Sequence, residues 1–277
     1  MCEADGISMR CRISGWENGK EACRIEGQLI RKRTVSQTAK GSGNMVTGIV
    51  LAAGSGKRMN SQIQKQFLEV HGRPLIYYAL KAFEESCVNR VILVTGADSV
   101  EYCRREIVNR YGFLKVCAVV SGGSERYHSV YNGLEAAKGS DYVLIHDGAR
   151  PMVTPEMIDY LVEAVKEHKA CISGMPAKDT IKITDADGVV ESTPERSRLW
   201  TVHTPQVFDY SLICSAHERF HEAGCPVGVT DDGMLVERYT DQPVKMIAGS
   251  YTNIKVTTPE DLPLASIFLQ GQVNRKK

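Results

Sequence analysis

The feature that most constrains the fold is a regular alternation of two kinds of segment, which begins at Met45. The β-rich run VTGIVLAAG at 46–54 precedes a helical pattern at 74–86, and the strand-like VILVTG at 91–96 precedes a helical pattern at 98–111. This order predicts parallel strands joined by helices. Because the strands are nearly continuous apolar runs, both faces of the sheet should be covered by helices. The pattern therefore indicates an α/β fold.

The alternation continues as far as residue 177. It predicts strands at 115–123 and 170–177, a strand that runs into a loop at 141–151, and a helix at 124–139. A further helix is expected after Thr154, since threonine is a good helix cap and the following Pro155 and Glu156 suit a first turn.

The order of elements changes after this point. TIKIT at 180–184 alternates polar and apolar residues, the turn DADG follows at 185–188, and VVEST comes at 189–193. This is the signature of a β-hairpin. A hairpin inserted late in a parallel sheet has to project from it, so the sequence predicts a protruding β-arm at about 178–205.

The rest of the chain returns to short helices and strands. The predicted elements are a helix near 209–222, a helix MLVERY at 234–239, strands VKMIAG at 244–249 and NIKVTT at 253–258, and a closing helix from Pro259. Residues 45–277 should therefore form one compact domain that carries the arm.

The first 44 residues do not share this pattern. They contain eight Lys and Arg against five Asp and Glu, and no sustained helical or strand period. A signal peptide needs an apolar core after its basic start, and none is present. We expect a disordered extension, or translation that starts at Met45.

Charge and cysteine usage exclude several classes of function. The formal net charge is +1, so bulk electrostatics gives no case for nucleic-acid binding. The apolar runs are much shorter than the roughly 20 residues that span a bilayer. Nine scattered cysteines form no CxxC pair, which disfavours a zinc ribbon and is typical of reduced core cysteines in a cytoplasmic protein.

The first candidate site is the glycine-rich turn LAAGSGKRM at 51–59. Such a turn directly after a strand brings backbone N–H groups close to an anion. It is not a Walker A loop, because Arg58 follows the lysine, and it lacks the small residue and the later acid of a dinucleotide fingerprint. With Arg58 and Lys65 attached, the turn predicts a triphosphate site of another kind.

The second candidate is SGGSERYHS at 121–129. Glycines after a strand, at the carboxyl edge of a parallel sheet, lie where such sheets bind ligands. Gly122 would let a base lie against the backbone, and Arg126 and Ser129 would supply donors. The alternative is a plain strand-to-helix turn with Ser124 as the helix cap.

The third candidate is HDGARP at 146–151. Asp147 ends a strand, and one carboxylate with phosphate oxygens is a mode of Mg²⁺ binding that proteins use. Arg150 is a candidate phosphate contact. The alternative is an internal Asp–Arg pair.

The C-terminal third adds Arg196, Thr204 and Lys255. Lys255 lies in the predicted strand NIKVTT, where a buried lysine would be costly without an anion. His146 and His203 are interpreted as hydrogen-bonding scaffold residues. The adjacent acids at 231–232 are interpreted as a helix cap and not as a second metal site.

Taken in order, these motifs resemble the family of 2-C-methyl-D-erythritol 4-phosphate cytidylyltransferases over about residues 46–270. The motifs that carry the resemblance are VLAAGSGKRM, KQFL with GRPL, GGSERYHSV, HDGARP, KDT, RSRLW with TPQ, TDD with VE, and NIKVTTPEDL. The resemblance implies a Rossmann-like, mostly parallel sheet with an arm that interlocks with a second subunit. It also implies CTP and Mg²⁺ as cosubstrate and cofactor, and pyrophosphate as product.

The resemblance assigns roles by position. Arg58 and Lys65 match cations that stabilise the transition state, and Arg196 and Lys255 match residues that hold the methylerythritol phosphate. Thr180 matches a substrate contact from the arm. The CTP and metal environment is matched by Ala52, Ala53, Gly54, Gly56, Gly122, Arg126, Ser129 and Asp147.

Two alternatives stay open. A ribitol 5-phosphate cytidylyltransferase would share the phosphate loop, the glycine turn and the arm. A non-catalytic nucleotide-binding protein on the same fold is disfavoured because Arg58, Lys65 and Asp147 are all present.

Overall fold

The computed structural model describes residues 23–25, 28–30, 43–54 and 64–275. The chain divides into two units, Met1–Gly43 and Asn44–Lys277. In the first unit, the strands β1 (Cys23–Ile25) and β2 (Gln28–Ile30) pair antiparallel. The prediction of a disordered extension over 1–44 falls mostly on residues outside the described ranges.

The second unit is organised around a seven-stranded sheet. Its strands in chain order are β3 (Val46–Ala52), β6 (Arg90–Thr95), β7 (Val116–Ser121), β8 (Tyr142–Asp147), β9 (Ala170–Pro176), β12 (Trp200–Asp209) and β13 (Lys245–Ala248). Their spatial order is β13-β9-β12-β8-β3-β6-β7. Every pair of neighbouring strands that does not include β12 is parallel, and β12 runs antiparallel to both β8 and β9. The predicted mostly parallel sheet is confirmed.

Helices cover both faces of this sheet, as predicted. They are α1 (Leu75–Glu85), α2 (Val100–Tyr102, which continues as a π-helix over Cys103–Asn109), α3 (Arg126–Ala136), α4 (Pro155–His168), α5 (Tyr210–Glu222), α6 (Asp232–Tyr239) and α7 (Asp261–Arg275). Adjacent residues of β3 point to opposite sides. Val50 packs in the cluster that contains Phe83 of α1, whereas Ile49 packs with Leu134 of α3. This two-sided burial explains why the strand sequences are almost wholly apolar.

Helix α4 begins as its sequence predicts. Thr154 accepts a hydrogen bond at 3.3 Å from the backbone N–H of Met157, and Pro155 is the first helical residue. The helix ends at His168, and the capping residue that follows, Lys169, has a left-handed φ of 60°.

Two sequence predictions in the C-terminal third are wrong. The strand β12 was not expected, and it takes residues 200–205 of the predicted arm into the central sheet. Pro205 lies in its middle, where the pairing with β9 shifts between Val202 and Gln206, because proline lacks the N–H that a regular ladder needs. Residues 253–258, predicted as a strand, form a loop, so Lys255 is a loop residue.

The arm itself is the segment 177–199 between β9 and β12. It contains the antiparallel pair β10 (Ile183–Thr184) and β11 (Val190–Ser192). Both strands are exposed, and Ile183 and Val190 are 48% and 53% accessible. The predicted β-hairpin that projects from the sheet is confirmed.

A small antiparallel pair, β4 (Glu69–Val70) with β5 (Arg73–Pro74), precedes α1. Within the described ranges, no helix has the length and apolar character required to cross a membrane.

Candidate active site

Two cavities meet at the carboxyl edge of the sheet. The first has a volume of about 340 Å³ and is lined by the ends of β3 and β8, the turn after β7 and the segment after residue 64. The second, of about 420 Å³, is lined by parts of β12, the start of α6 and the loop that precedes α6. Arg126, Asp147 and Lys255 line both cavities, so these three residues mark their junction.

Most of the predicted nucleotide-site residues line the first cavity. They are Ala52, Ala53, Gly54, Lys65, Arg126, Ser129 and Asp147, and the predicted acceptor residue Lys255 lines the same cavity. Lys65 begins a short 3₁₀ turn, Lys65–Phe67, that Gln66 ties to β3 by donating its side-chain amide to the carbonyl of Ala52 at 2.6 Å. The predicted residues Gly56 and Arg58 lie outside the described ranges.

Asp147 is the central carboxylate of the junction. It is 8% exposed, Lys255 Nζ lies 2.7 Å from its Oδ2, and Arg126 Nε lies 3.6 Å from its Oδ1. Burial alone would raise the pKa of this carboxyl, but the charges of Arg126 and Lys255 outweigh burial and hold the pKa well below its usual range. Asp147 is therefore ionised at any physiological pH.

A chain of hydrogen bonds fixes Asp147 from behind. Its backbone N–H donates to Thr204 Oγ1 at 3.0 Å, and Thr204 Oγ1 lies 3.1 Å from His146 Nδ1. His146 Nε2 lies 3.1 Å from the carbonyl of Arg150, so Nε2 carries the proton and Nδ1 accepts from threonine. Burial lowers the pKa of His146 to about 4, which keeps the ring neutral. The scaffold prediction is confirmed for His146.

His203 does not repeat this pattern. It lines the second cavity, and its Nδ1 is buried with no hydrogen-bond partner among the described residues. Burial and the nearby Arg150 charge lower its pKa to about 4. The predicted hydrogen-bonding role of His203 is therefore not found in this part of the structure.

Arg150 lines the second cavity but is itself 9% exposed. Its Nη1 donates to the carbonyl of Asn253 at 2.8 Å, and its Nη2 to the carbonyl of Val202 at 3.4 Å. The alternative of an Asp147–Arg150 ion pair is wrong, because Asp147 pairs with Lys255 and Arg126 instead. Arg150 ties β12 to the loop that carries Lys255.

Arg126 is held by a partner that sequence reasoning missed. Asp232 receives both ends of its guanidinium, at 2.9 Å from Nη1 and 2.7 Å from Nη2. Asp232 is 1% exposed. Burial alone would lower the pKa of Arg126, but Asp232 and Asp147 raise it above its ordinary value.

Gln206 fixes the backbone that carries Asp232. Its Oε1 accepts from the backbone N–H groups of Asp232 and Gly233 at 3.0 and 3.2 Å, and its Nε2 donates to Asp231 at 2.9 Å. Asp231 is the cap of α6, since it accepts from Met234 N at 2.9 Å. The cap interpretation is confirmed for Asp231 and wrong for Asp232. Only one of two adjacent acids can cap a helix, so the sequence itself indicated that the other acid has a different partner.

The glycine turn after β7 is shaped by close contact. A Cβ atom at Gly122 would lie 2.6 Å from both Ala53 Cβ and Ser129 Oγ, so only glycine lets the two turns approach each other. Ser129 Oγ accepts from Gly123 N at 3.1 Å and donates to the carbonyl of Glu125. The alternative of Ser124 as helix cap is wrong, because the cap position of α3 is Glu125 and its side chain makes no capping bond.

The arm residues lie away from both cavities within one chain. Arg196 and Thr180 are exposed, line neither cavity, and Arg196 Nη1 donates to the carbonyl of Lys178 at 3.2 Å. The structure thus brings Lys65, Lys255, Arg126 and Arg150 to one region and does not bring Arg196 there. Their cationic side chains suit two bound anions whose phosphates meet near Asp147.

Comparison with known proteins gives one consistent family. The family model described as IspD, 2-C-methyl-D-erythritol 4-phosphate cytidylyltransferase, matches residues 46–271. A curated protein of that name from Lachnoclostridium phytofermentans is 49% identical over 225 residues, which are 81% of this chain and 96% of the relative. One from Lachnospira eligens is 49% identical over 228 residues, 82% of this chain and 100% of the relative.

A solved structure agrees with these sequence matches. The crystal structure of 4-diphosphocytidyl-2C-methyl-D-erythritol synthase from Anaerococcus prevotii superimposes with a TM-score of 0.73 at 35% identity. The match covers 83% of this chain and 97% of that chain.

Proposed function

The chain belongs to the 2-C-methyl-D-erythritol 4-phosphate cytidylyltransferase family, and on this premise we propose that it transfers CMP from CTP to 2-C-methyl-D-erythritol 4-phosphate. The products are 4-CDP-2-C-methyl-D-erythritol and pyrophosphate, and the step belongs to non-mevalonate isoprenoid synthesis. The observation that carries the proposal is the junction, where ionised Asp147 lies between the cations Lys255 and Arg126 at the meeting point of two cavities.

The proposed chemistry needs no enzyme nucleophile and no general base. The acceptor phosphate is already ionised at neutral pH, so one of its oxygens attacks the α-phosphorus of CTP. A new P–O bond forms, the bond between the α-phosphorus and the bridging oxygen breaks, and the electron pair leaves with pyrophosphate. The barrier comes from bringing two anions together, so catalysis rests on alignment and on neutralisation of charge.

We assign CTP to the 340 Å³ cavity and the acceptor to the 420 Å³ cavity. Lys65 lines the first, where together with Arg58 it would neutralise the triphosphate. Lys255 lies at the junction, where it would aim the acceptor phosphate at the α-phosphorus. Arg150 and Thr204 line the second cavity and would shape it mainly by holding β12 and Asp147 in place.

The Mg²⁺ site of the proposal is Asp147. The site fits, because an ionised carboxylate that joins substrate phosphate oxygens is a mode of Mg²⁺ binding that proteins use. Lys255 faces one oxygen of this carboxylate and Arg126 faces the other, and the carboxylate lone pairs that they leave would hold the ion. When bound, Mg²⁺ supplies further neutralisation of the triphosphate.

The proposal includes a homodimer formed through the arm. Arg196 and Thr180 lie on an exposed apolar hairpin away from both cavities of their own chain. If two arms exchange, each would carry its Arg196 to the acceptor cavity of the partner subunit. The cytoplasm is the proposed location, on the basis of the scattered cysteines.

Pyrophosphate release from CTP tests the proposal with two acceptors, methylerythritol 4-phosphate and ribitol 5-phosphate. We expect turnover with the first and little with the second. Lys255→Ala and Lys65→Ala should each lower turnover by about 100- to 1000-fold, by analogy with other preorganised donors. Lys166→Ala, which removes an exposed lysine that pairs with Glu163 on α4, is the matched control.

Other outcomes would favour the alternatives. Preference for ribitol phosphate would change the acceptor and keep the mechanism. CTP binding without turnover on either acceptor would refute the enzyme proposal and favour a nucleotide-binding protein.

A further inference from the structure

A second group of reactive side chains lies between the start of α3 and the end of α5. His128 is in the first turn of α3, His221 is in the last turn of α5, and Cys225 follows shortly after that helix. The ligand atoms of these three residues all lie within 4.8 Å of one another, and each residue is half-buried. None of them lines either cavity of the candidate active site.

The backbone after α5 turns back on itself and brings Cys225 next to His221. Gly224 and Cys225 have φ angles of 79° and 52°, and the N–H of Cys225 donates to the carbonyl of Phe220 at 3.0 Å. Cys225 Sγ consequently lies 3.2 Å from His221 Nδ1. A left-handed conformation is uncommon for a residue with a side chain, and such conformations concentrate at functional sites.

The two imidazole rings are also held in place. The rings of His128 and His221 are stacked, with centroids 5.9 Å apart and an interplanar angle of 25°. His128 Nδ1 lies 3.1 Å from Ser124 Oγ. Contacts of this kind fix the tautomer of a metal-binding histidine, and here they leave Nε2 as the nitrogen that binds the metal.

The hydrogen bonding of this region is incomplete. His221 Nε2 is buried without a partner among the described residues, and so are both ring nitrogens of the neighbouring His217, which is fully buried. The ring centroids of His217 and His221 lie 6.4 Å apart. Buried polar atoms without partners are rare and call for a physical reason, such as a bound ion or water.

We propose that His128, His221 and Cys225 form a binding site for a thiophilic divalent transition metal, of which Zn²⁺ is the natural example. Two imidazoles and one thiolate are a Zn²⁺ ligand set, with the fourth position left to water. Zinc bond lengths and tetrahedral angles place such ligand atoms about 3.5 Å apart, so side-chain adjustments of about 1 Å close the observed cluster on one ion. On binding, the Cys225 thiol loses its proton to solvent and the thiolate forms the metal–sulfur bond.

This site differs in chemistry from the Mg²⁺ site proposed at Asp147. Thiolate and imidazole are soft ligands that Mg²⁺ does not favour, whereas Asp147 would offer a hard oxygen. The metal site does not rest on the proposed cytidylyl transfer, because its ligands take no part in that reaction.

The position of the site gives it a structural consequence. A Cβ atom at Gly123 would lie 2.3 Å from His128 Cβ, so His128 packs directly against the glycine turn of the nucleotide cavity. Arg126 lies two residues before His128 in the same helical turn. A metal bound to His128 would therefore fasten the start of α3, and with it Arg126, to the end of α5.

The test is a titration of the chelator-treated full chain with Co²⁺, which replaces Zn²⁺ and reports sulfur ligation by a charge-transfer absorption in the near ultraviolet. We expect this absorption to saturate at one equivalent and to disappear when Zn²⁺ is added. Cys225→Ser should abolish it, and His221→Ala should weaken Co²⁺ binding at least tenfold. Cys117→Ser, which changes an exposed cysteine of β7, is the matched control and should retain it.

Thermal unfolding with and without Zn²⁺ provides the second measurement. The wild type should gain stability with Zn²⁺, and Cys225→Ser should unfold like the metal-free wild type whether or not Zn²⁺ is present. If Cys225→Ser keeps the sulfur absorption or the Zn²⁺ stabilisation, the site is not at Cys225. Absence of a cobalt–sulfur absorption in a folded wild type would overturn the proposal altogether.

Discussion

Asp232→Asn removes the charge that holds Arg126 at the junction of the two cavities. The carboxylate is 1% exposed and makes two charge-assisted hydrogen bonds with Arg126, whose side chain is 29% exposed. Breaking a fully buried ion pair costs about 3–5 kcal/mol. Asparagine keeps one acceptor for the guanidinium, and Asp147 still lies 3.6 Å from it, so we expect a loss of about 2–3 kcal/mol in the free energy of unfolding.

The same substitution should weaken nucleotide binding. Arg126 lines both cavities, and without Asp232 its guanidinium is free to swing onto Asp147. If about 1.4 kcal/mol of the lost interaction energy also weakens CTP binding, the KM for CTP rises about tenfold. Urea unfolding measures the first effect, and pyrophosphate release at varied CTP measures the second.

Asp209→Asn is the matched control for this prediction. Asp209 caps α5 by accepting from Leu212 N, lines neither cavity, and asparagine caps helices as well as aspartate does. We expect the free energy of unfolding of this variant to stay within about 0.5 kcal/mol of the wild type, which is the ordinary range for a tolerated change. If Asp232→Asn were as mild as Asp209→Asn in both assays, the argument that Asp232 positions Arg126 would be refuted.

Three further predictions follow from other parts of the molecule. Burial lowers the pKa of His217 to about 3, so the unfolded chain takes up a proton below about pH 6.5 while the folded chain does not. The free energy of unfolding therefore falls as the pH falls. His217→Leu should remove about 2 kcal/mol of the decrease in this free energy between pH 7 and 5. Gly122→Ala should destabilise by about 1–3 kcal/mol in urea, because its Cβ meets Ala53 and Ser129, whereas Gly271→Ala, whose Cβ meets nothing within 4 Å, should not. Ile183→Glu on the exposed arm should shift a dimer to monomer in sedimentation and lower turnover; a wild type that sediments as a monomer would contradict the proposed arm exchange.

The fold was predictable wherever one period dominated the sequence. The strands of the parallel part and the helix after Thr154 have clear apolar patterns and end signals, and the structure contains them. The strand β12 was missed because Pro205 and the polar residues around it hide its alternation. NIKVTT was predicted as a strand from its β-branched residues, yet Asp261 accepts hydrogen bonds from the backbone of Thr257 and Thr258 and holds the segment as a loop before α7.

The sequence predicted most residues of the candidate site but not the hydrogen bonds and ion pairs that join them. Glycine turns and isolated cations can be read from the sequence because each follows a strand at the binding edge of the sheet. The pairing of Arg126 with Asp232 joins residues 106 positions apart, and Gln206 supports it from a strand that was not predicted. Contacts of this kind depend on the order of strands in space, which the sequence pattern leaves open.

The network also bears on how the proposed reaction would be catalysed. Positive side chains gathered for two anionic substrates repel one another, and burial adds to the cost of keeping them charged. Asp147 offsets this cost at the junction, since it is ionised and faces Lys255 and Arg126 at once. Asp232 does the same for Arg126 from the opposite side. The cations are therefore in position before the substrates bind, and donors that need no rearrangement are those that lower a barrier most.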